Sequence, residues 1–103
     1  MESNDFLHMG DKKTALVLDA KDNVGVVLAD VAKGETCTIR DTNCQEYELS
    51  AVEPIAFGHK IALADIAKDA PVYRYGEEIG RMSVPVVKGS WIHNHNMYCE
   101  QGL

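Results

Sequence analysis

Basic side chains cluster nowhere in these 103 residues: ten Lys and Arg are scattered among sixteen Asp and Glu, for a formal net charge of −6. A nucleic-acid binder neutralises phosphates with a basic patch, and an anionic membrane surface attracts the same feature, so both partners are excluded. No apolar run approaches the roughly 20 residues of a spanning helix. The opening MESNDFLHMGDKK lacks the basic-then-apolar order of a secretion signal. The cytoplasm is the expected compartment. Cysteine is scarce and odd in number, with Cys37, Cys44 and Cys99 and no C-x-x-C spacing. That argues for reduced thiols over a disulfide framework and gives no support to a structural zinc site. Long apolar periods of 3.6 residues are missing too.

What is present is a series of short apolar and β-branched stretches. TALVLD (14–19), NVGVVLAD (23–30), ETCTIRD (35–41) and QEYELSAVEPI (45–55) read as strands. So do HKIALADI (59–66), PVYRY (71–75), EIGRMSVPVV (78–87) and SWIHNHNM (90–97). Gly34, Gly58, Pro71, Gly76 and Gly89 punctuate the joins. In ETCTIRD, Thr36 and Thr38 alternate with Cys37 and Ile39, as on a half-buried strand. The best helical candidates are single turns, LADVAK (28–33) and LADIAK (63–68), too short to stand alone as helices. The expectation is an all-β domain over 14–98, with one or two single-turn helices. An N-terminal extension (1–13) and a tail (99–103) flank it, and only these ends look disordered. A chain of this length is one domain, burying roughly 60–65% of its unfolded surface.

Those two turn segments form an internal echo. LADVAKGETC (28–37) and LADIAKDAPV (63–72) stand 35 positions apart, with PVVKGSWI (85–92) a fainter third copy. Two or three copies are too few for a solenoid, so they read as pseudo-symmetric parts of one β domain. Asp30 and Asp65, matched by the echo, are expected to cap the compact turns. Asp22-Asn23 reads as a local turn, and Gly76 and Gly80 as backbone-conformation residues.

The chemistry-bearing stretch is KGSWIHNHNMY (88–98). On a strand, Trp91, His93, His95 and Met97 share one face, with the two imidazoles about 6–7 Å apart by Cα. That is close enough to converge on one ion or one anion, and imidazole suits Fe(II) or Zn(II). Two histidines fall short of a closed site, so a third ligand is expected from Cys99, His59 or a partner. The alternative is a polar edge strand whose histidines do nothing. His59 is a candidate for proton transfer near neutral pH, and Lys60 for pairing with a substrate carboxylate or sulfonate. Arg81 and Lys88 are further anion-pairing candidates, and Asn96 a substrate-binding one.

DNVGVVLADVAKGE, GHKIALADIAKDAPVYRYGEEIGR and GSWIHNHN together resemble the amino-terminal domain of the altronate/galactarate dehydratase family, over roughly 22–96. The same pattern resembles the small subunit of sulfolactate sulfo-lyase. Gly58-His59-Lys60 followed by Ala62-Leu63, Tyr75-Gly76 with Ile79-Gly80, and His93-x-His95-Asn96 carry the likeness. The resemblance implies an SAF-type β-clip fold and a place in a hydro-lyase, acting by β-elimination of water from a small acidic 2-hydroxy acid. It also implies a separate large catalytic subunit and ferrous iron in the full complex. His59, His93 and His95 are then the catalytic candidates, with His93 and His95 as incomplete metal ligands. Met1 and the short tail favour a split form, inactive alone. Sulfite in place of water as leaving group is one alternative. A non-catalytic binding module that self-associates into a homo-oligomer is another.

Overall fold

The computed structural model of the chain describes residues 12–99, which form nine short strands and no helix. They are β1 (Thr14–Leu16), β2 (Val24–Val27), β3 (Thr36–Arg40), β4 (Glu46–Ser50), β5 (Lys60–Ala62), β6 (Pro71–Arg74), β7 (Glu77–Met82), β8 (Trp91–Ile92) and β9 (Met97–Tyr98). Six of them make one sheet in the order β4-β3-β1-β2-β5-β8, and β6-β7-β9 make a second. Neighbours are antiparallel except β1 and β3, which run parallel. The all-β, SAF-type β-clip expectation holds, while the single-turn helices do not form. Expectations about residues 1–11 and 100–103 lie outside the described residues.

The reason is visible in the backbone hydrogen bonds. A six-residue segment cannot offset the cost of helix nucleation, so its amides pair elsewhere. Val31 and Ile55 exchange both N–H···O bonds, each 2.8 Å, and Ile66 and Val86 do the same. Four loops, 28–35, 52–59, 63–70 and 83–90, follow one design. Each leaves a strand, contributes its bridge residue, and turns through a left-handed residue: Gly34, Gly58, Asp69 or Gly89. Each then closes with an amide bonded three residues back, from Glu35, His59, Ala70 or Ser90. The loops interlock as two pairs. Asp30 Oδ1 accepts the Phe57 amide of the partner loop (2.8 Å), and Asp65 Oδ1 accepts the Lys88 amide (2.9 Å). The two aspartates do cap turns, but each caps the turn opposite its own.

The faint third copy is the fourth loop. The second loop, 52–59, has no legible echo because Phe57 replaces the Lys of all three counterparts and Pro54, like Pro85 in the fourth loop, stands in the place of Asp. Bridge residues Val31 and Ile55 enter one buried cluster with Ala15, Val27, Ile39 and Ile61. Ile66 enters a second, with Val24, Val72, Met82 and Ile92. Burial of each such side chain stabilises by about 1.5–3 kcal/mol, which fixes the loops as firmly as a longer ladder would. Expected strands over 45–55, 59–66 and 78–87 therefore stop early, where these loops begin. On β3, Cys37, Thr38 and Ile39 are all buried, so the expected alternation is lost on this interior strand.

Asp22 closes the expected local turn, its amide donating to the Asp19 carbonyl (3.0 Å), and both Asp22 and Asn23 also act over a distance. Asp22 accepts the Tyr75 and Gly76 amides at the tip of the β6–β7 hairpin (2.9 and 2.8 Å) and the Leu18 amide (3.2 Å). Asn23 bonds the Tyr73 amide and the Pro71 carbonyl. Tyr75 and Gly76 have φ of 59° and 80°, the two positive values of a type I′ turn, and the Asp22 carboxylate holds that turn in place.

Candidate functional site

β5 and β8 pair with Lys60 opposite Ile92 and Ile61 opposite Trp91. One step further along that register, His59 faces His93, and their ring centroids lie 4.8 Å apart. Trp91 joins them at 5.6 Å from each, nearly parallel to His93 with 12° between planes. His95 reaches the same indole at 4.5 Å. Three histidines and a tryptophan thus share one patch at the open edge of the six-stranded sheet.

The expected strand through 90–97 does not exist. After Ile92 the chain turns over 93–96 and resumes as β9 in the other sheet. Asn96 causes this. Its buried side chain accepts the His93 amide at Oδ1 (3.0 Å) and donates from Nδ2 to the Trp91 carbonyl (2.9 Å). Its own amide donates to the His93 carbonyl (3.1 Å). A short polar side chain that bonds nearby backbone competes successfully with a ladder. The histidines gather because of a turn, not because of strand alternation. Asn96, expected to bind substrate, has both side-chain polar atoms engaged by its own loop.

Trp91 is held as tightly as Asn96. Its backbone N–H donates to Glu53 Oε2, and its indole Nε1–H donates to His59 Nδ1, both at 2.9 Å. An indole N–H can only donate, so the His59 Nδ1 that accepts it carries no proton. The neutral His59 ring therefore carries its proton on Nε2. The indole also walls an open, largely apolar groove of about 530 Å³, together with Val31, Pro54, Ile55 and, on its rim, Lys13 and Asp30.

His93 is held below the usual imidazole range, first by partial desolvation and then by His59, Lys60 and His95 beside it. Near neutral pH it is an uncharged ring, able to accept a proton. Lys60, half-buried, is pushed down by desolvation and then by the Arg74 guanidinium. Among the described residues Lys60 forms no ion pair. Its positive charge lies close enough to His93 to help lower that imidazole.

Arg81 lies on β7 in the other sheet, where it bonds Glu78 Oε2 and the Asp69 carbonyl. Lys88 is exposed on the fourth loop, with its amide on Asp65. Cys99 is exposed. Among the described residues no three His, Cys, Asp or Glu side chains converge to hold a metal ion, so these residues alone do not make a complete ferrous site. No helix among the described residues is long and apolar enough to cross a membrane.

Sequence reasoning put Trp91 on the face of the histidines without giving it a role, and it missed Glu53 and Arg74 altogether. Trp91 carried a signal, since it precedes the H-x-H at the same spacing. Glu53 and Arg74 carried none: the first meets Trp91 across 38 positions through the second loop, and the second reaches Lys60 from another sheet.

Comparison with known proteins places this geometry. The model of the altronate/galactarate dehydratase SAF domain matches residues 13–100. The altronate dehydratase of Escherichia coli (strain K12) is 38% identical over 79 residues, which cover 77% of this chain and 15% of that protein. The (2R)-sulfolactate sulfo-lyase subunit alpha of Chromohalobacter salexigens is 34% identical over 85 residues, covering 80% of this chain and 89% of that subunit. The galactarate dehydratase (L-threo-forming) of E. coli is 46% identical over 44 residues, 43% of this chain and 8% of that enzyme. The chain thus spans a small part of the dehydratases it matches and nearly all of the sulfo-lyase subunit.

Proposed function

Because the chain belongs to the altronate/galactarate dehydratase SAF-domain family, we propose that it is the small component of a sugar-acid dehydratase, completed by a separate large catalytic chain. The observation that carries this is the patch of His59, Trp91, His93 and His95 at an open sheet edge, with Lys60 in no ion pair among the described residues. It has the parts of an acid–base site beside a groove that is open to solvent.

β-Elimination from a 2-hydroxy acid needs a base for the proton α to the carboxylate, an acid for the departing hydroxyl and a counter-charge for the carboxylate. His93, uncharged near neutral pH, is the proton acceptor on this chain. His59, with its proton on Nε2, hydrogen-bonds the leaving hydroxyl or the carboxylate, and the proton that departs with the hydroxyl as water is the one His93 takes from the α carbon. Lys60, with Arg74 behind it, holds the anion. His95 extends the patch over the indole toward solvent. The large chain supplies the opposite wall, and any ferrous ion of the assembled enzyme takes its remaining ligands from there. The cytoplasm, where small organic acids are consumed, is the proposed compartment.

A second reading has its own support. A protein named as a separate alpha subunit of a sulfo-lyase is covered over 89% of its length. The same groups serve there, with sulfite leaving in place of water. The test is co-expression with a large dehydratase-type chain, co-purification, and anaerobic assay with ferrous iron on altronate, galactarate and sulfolactate. Complex formation with keto-acid release from a sugar acid supports the first reading, and sulfite release from sulfolactate supports the second. Failure of this chain to bind any such partner would return it to a free-standing binding module.

A further inference from the structure

We propose that Trp91 is a positioning residue, whose indole N–H holds His59 in the tautomer with its proton on Nε2 and so decides which ring of the patch donates. The tautomer assignment stands on the geometry alone; its use in elimination rests on the reading above.

Trp91 has little freedom to do otherwise. Its amide is bound by Glu53 and its carbonyl by the buried Asn96, so its backbone is tied at both polar groups. Its ring packs against the cluster containing Ile55 and Ile61 on one side and lies nearly parallel to His93. The N–H vector is therefore fixed by four contacts, none of which is His59, and it points at His59 Nδ1 from 2.9 Å. A free imidazole exchanges its proton between both nitrogens. An imidazole facing an immobile donor cannot, because a proton on Nδ1 would meet the indole hydrogen head-on. The arrangement has the form of a supporting residue that fixes the polarity of a reacting one, and the support is carried on the β-ladder, which holds geometry better than a loop does.

The test is long-range proton–nitrogen NMR on the full chain with labelled histidine, at a pH above the imidazole range, for the native protein and Trp91→Phe. Phenylalanine keeps an aromatic ring against the cluster and deletes the donor. The native spectrum is expected to show His59 in one form, with a bare, hydrogen-bonded Nδ1 and a protonated Nε2. In Trp91→Phe the two nitrogens should average toward each other. In the assembled enzyme the variant should lose about 10–100-fold in kcat with KM little changed, as misplacement of a reacting group does. A protonated Nδ1 in the native protein, or a His59 signal indifferent to Trp91→Phe, would overturn the proposal. If that variant fails to fold, the native spectrum decides alone. A His59 tautomer that follows Trp91 in an enzyme indifferent to His59→Gln upholds the positioning and sinks the elimination reading instead.

Discussion

At the scale of single residues, Lys60 is the costliest side chain on the patch. A half-buried ammonium beside a guanidinium, with no ion pair among the described residues, destabilises the fold unless an anion joins it. Lys60→Met should therefore raise the stability of the isolated chain by about 0.5–1 kcal/mol while weakening substrate binding. Burial lowers the folded-state pKa of this lysine, so its cost is full below that pKa and fades as pH rises through it. The stabilisation by Met should shrink at alkaline pH, as urea midpoints from neutral pH upward will show. Cysteine gives a second residue-level prediction. Burial, then the Glu35 carboxylate, pushes the Cys37 thiol up, while Cys44 and Cys99 are exposed. Brief alkylation of the native chain should label Cys44 and Cys99 and spare Cys37, which reacts only after unfolding. Labelling of Cys37 at the same rate would show that the β3 core opens freely.

At the scale of elements, the four interlocked loops do the work that helices or long ladders do elsewhere. Asp30→Ala and Asp65→Ala each delete an acceptor for an amide of the partner loop and should cost about 1 kcal/mol, with the Asn variants losing less. Gly89 is less replaceable. It has φ of 94°, and a Cβ there would run into the Ser50 carbonyl oxygen. Gly89→Ala should destabilise by about 1–3 kcal/mol and pull β8, with its histidines, out of register. Gly34 has open space around its Cβ position, so Gly34→Ala should cost only the backbone strain. Thermal melts of the two variants side by side check the contrast.

These loops also mark the limit of what could be read from sequence. Strand existence and the LAD-[VI]-AK echo were legible because hydrophobic period and repetition are local properties. The resemblance to the dehydratase domain was legible because its glycine and histidine motifs are ordered and distinct. The loop pairing was not, since Val31 with Ile55 and Ile66 with Val86 are long-range bonds whose partner segments differ in sequence. Asp22 looked like a local turn residue and reached 53 and 54 positions away. In the site, the structure brings His59, His93 and His95 around one indole, but not for the reason that the sequence pattern suggests. Alternation along a strand was expected, and Asn96 bends the chain instead.

At the scale of the whole molecule, an acidic domain carries a patch of histidines at a sheet edge, with Lys60 on the next strand in, beside an open apolar groove. A lone chain with this surface has acid and base groups but no enclosure, so the isolated protein should show no elimination activity at all. Because Lys60 attracts the substrate anion directly and salt screens that attraction, KM in the assembled enzyme should rise with ionic strength. Initial-rate measurements across a salt series check this.

The most direct measurement is kcat of the assembled enzyme carrying His93→Gln in this chain, with complex formation verified on the same sample. Glutamine keeps size and polarity and removes the proton-transfer chemistry. The account predicts an intact complex whose kcat falls by about 10²–10⁴-fold. An intact complex turning over at the native rate would contradict it, and would leave the histidine patch as a feature of the fold alone.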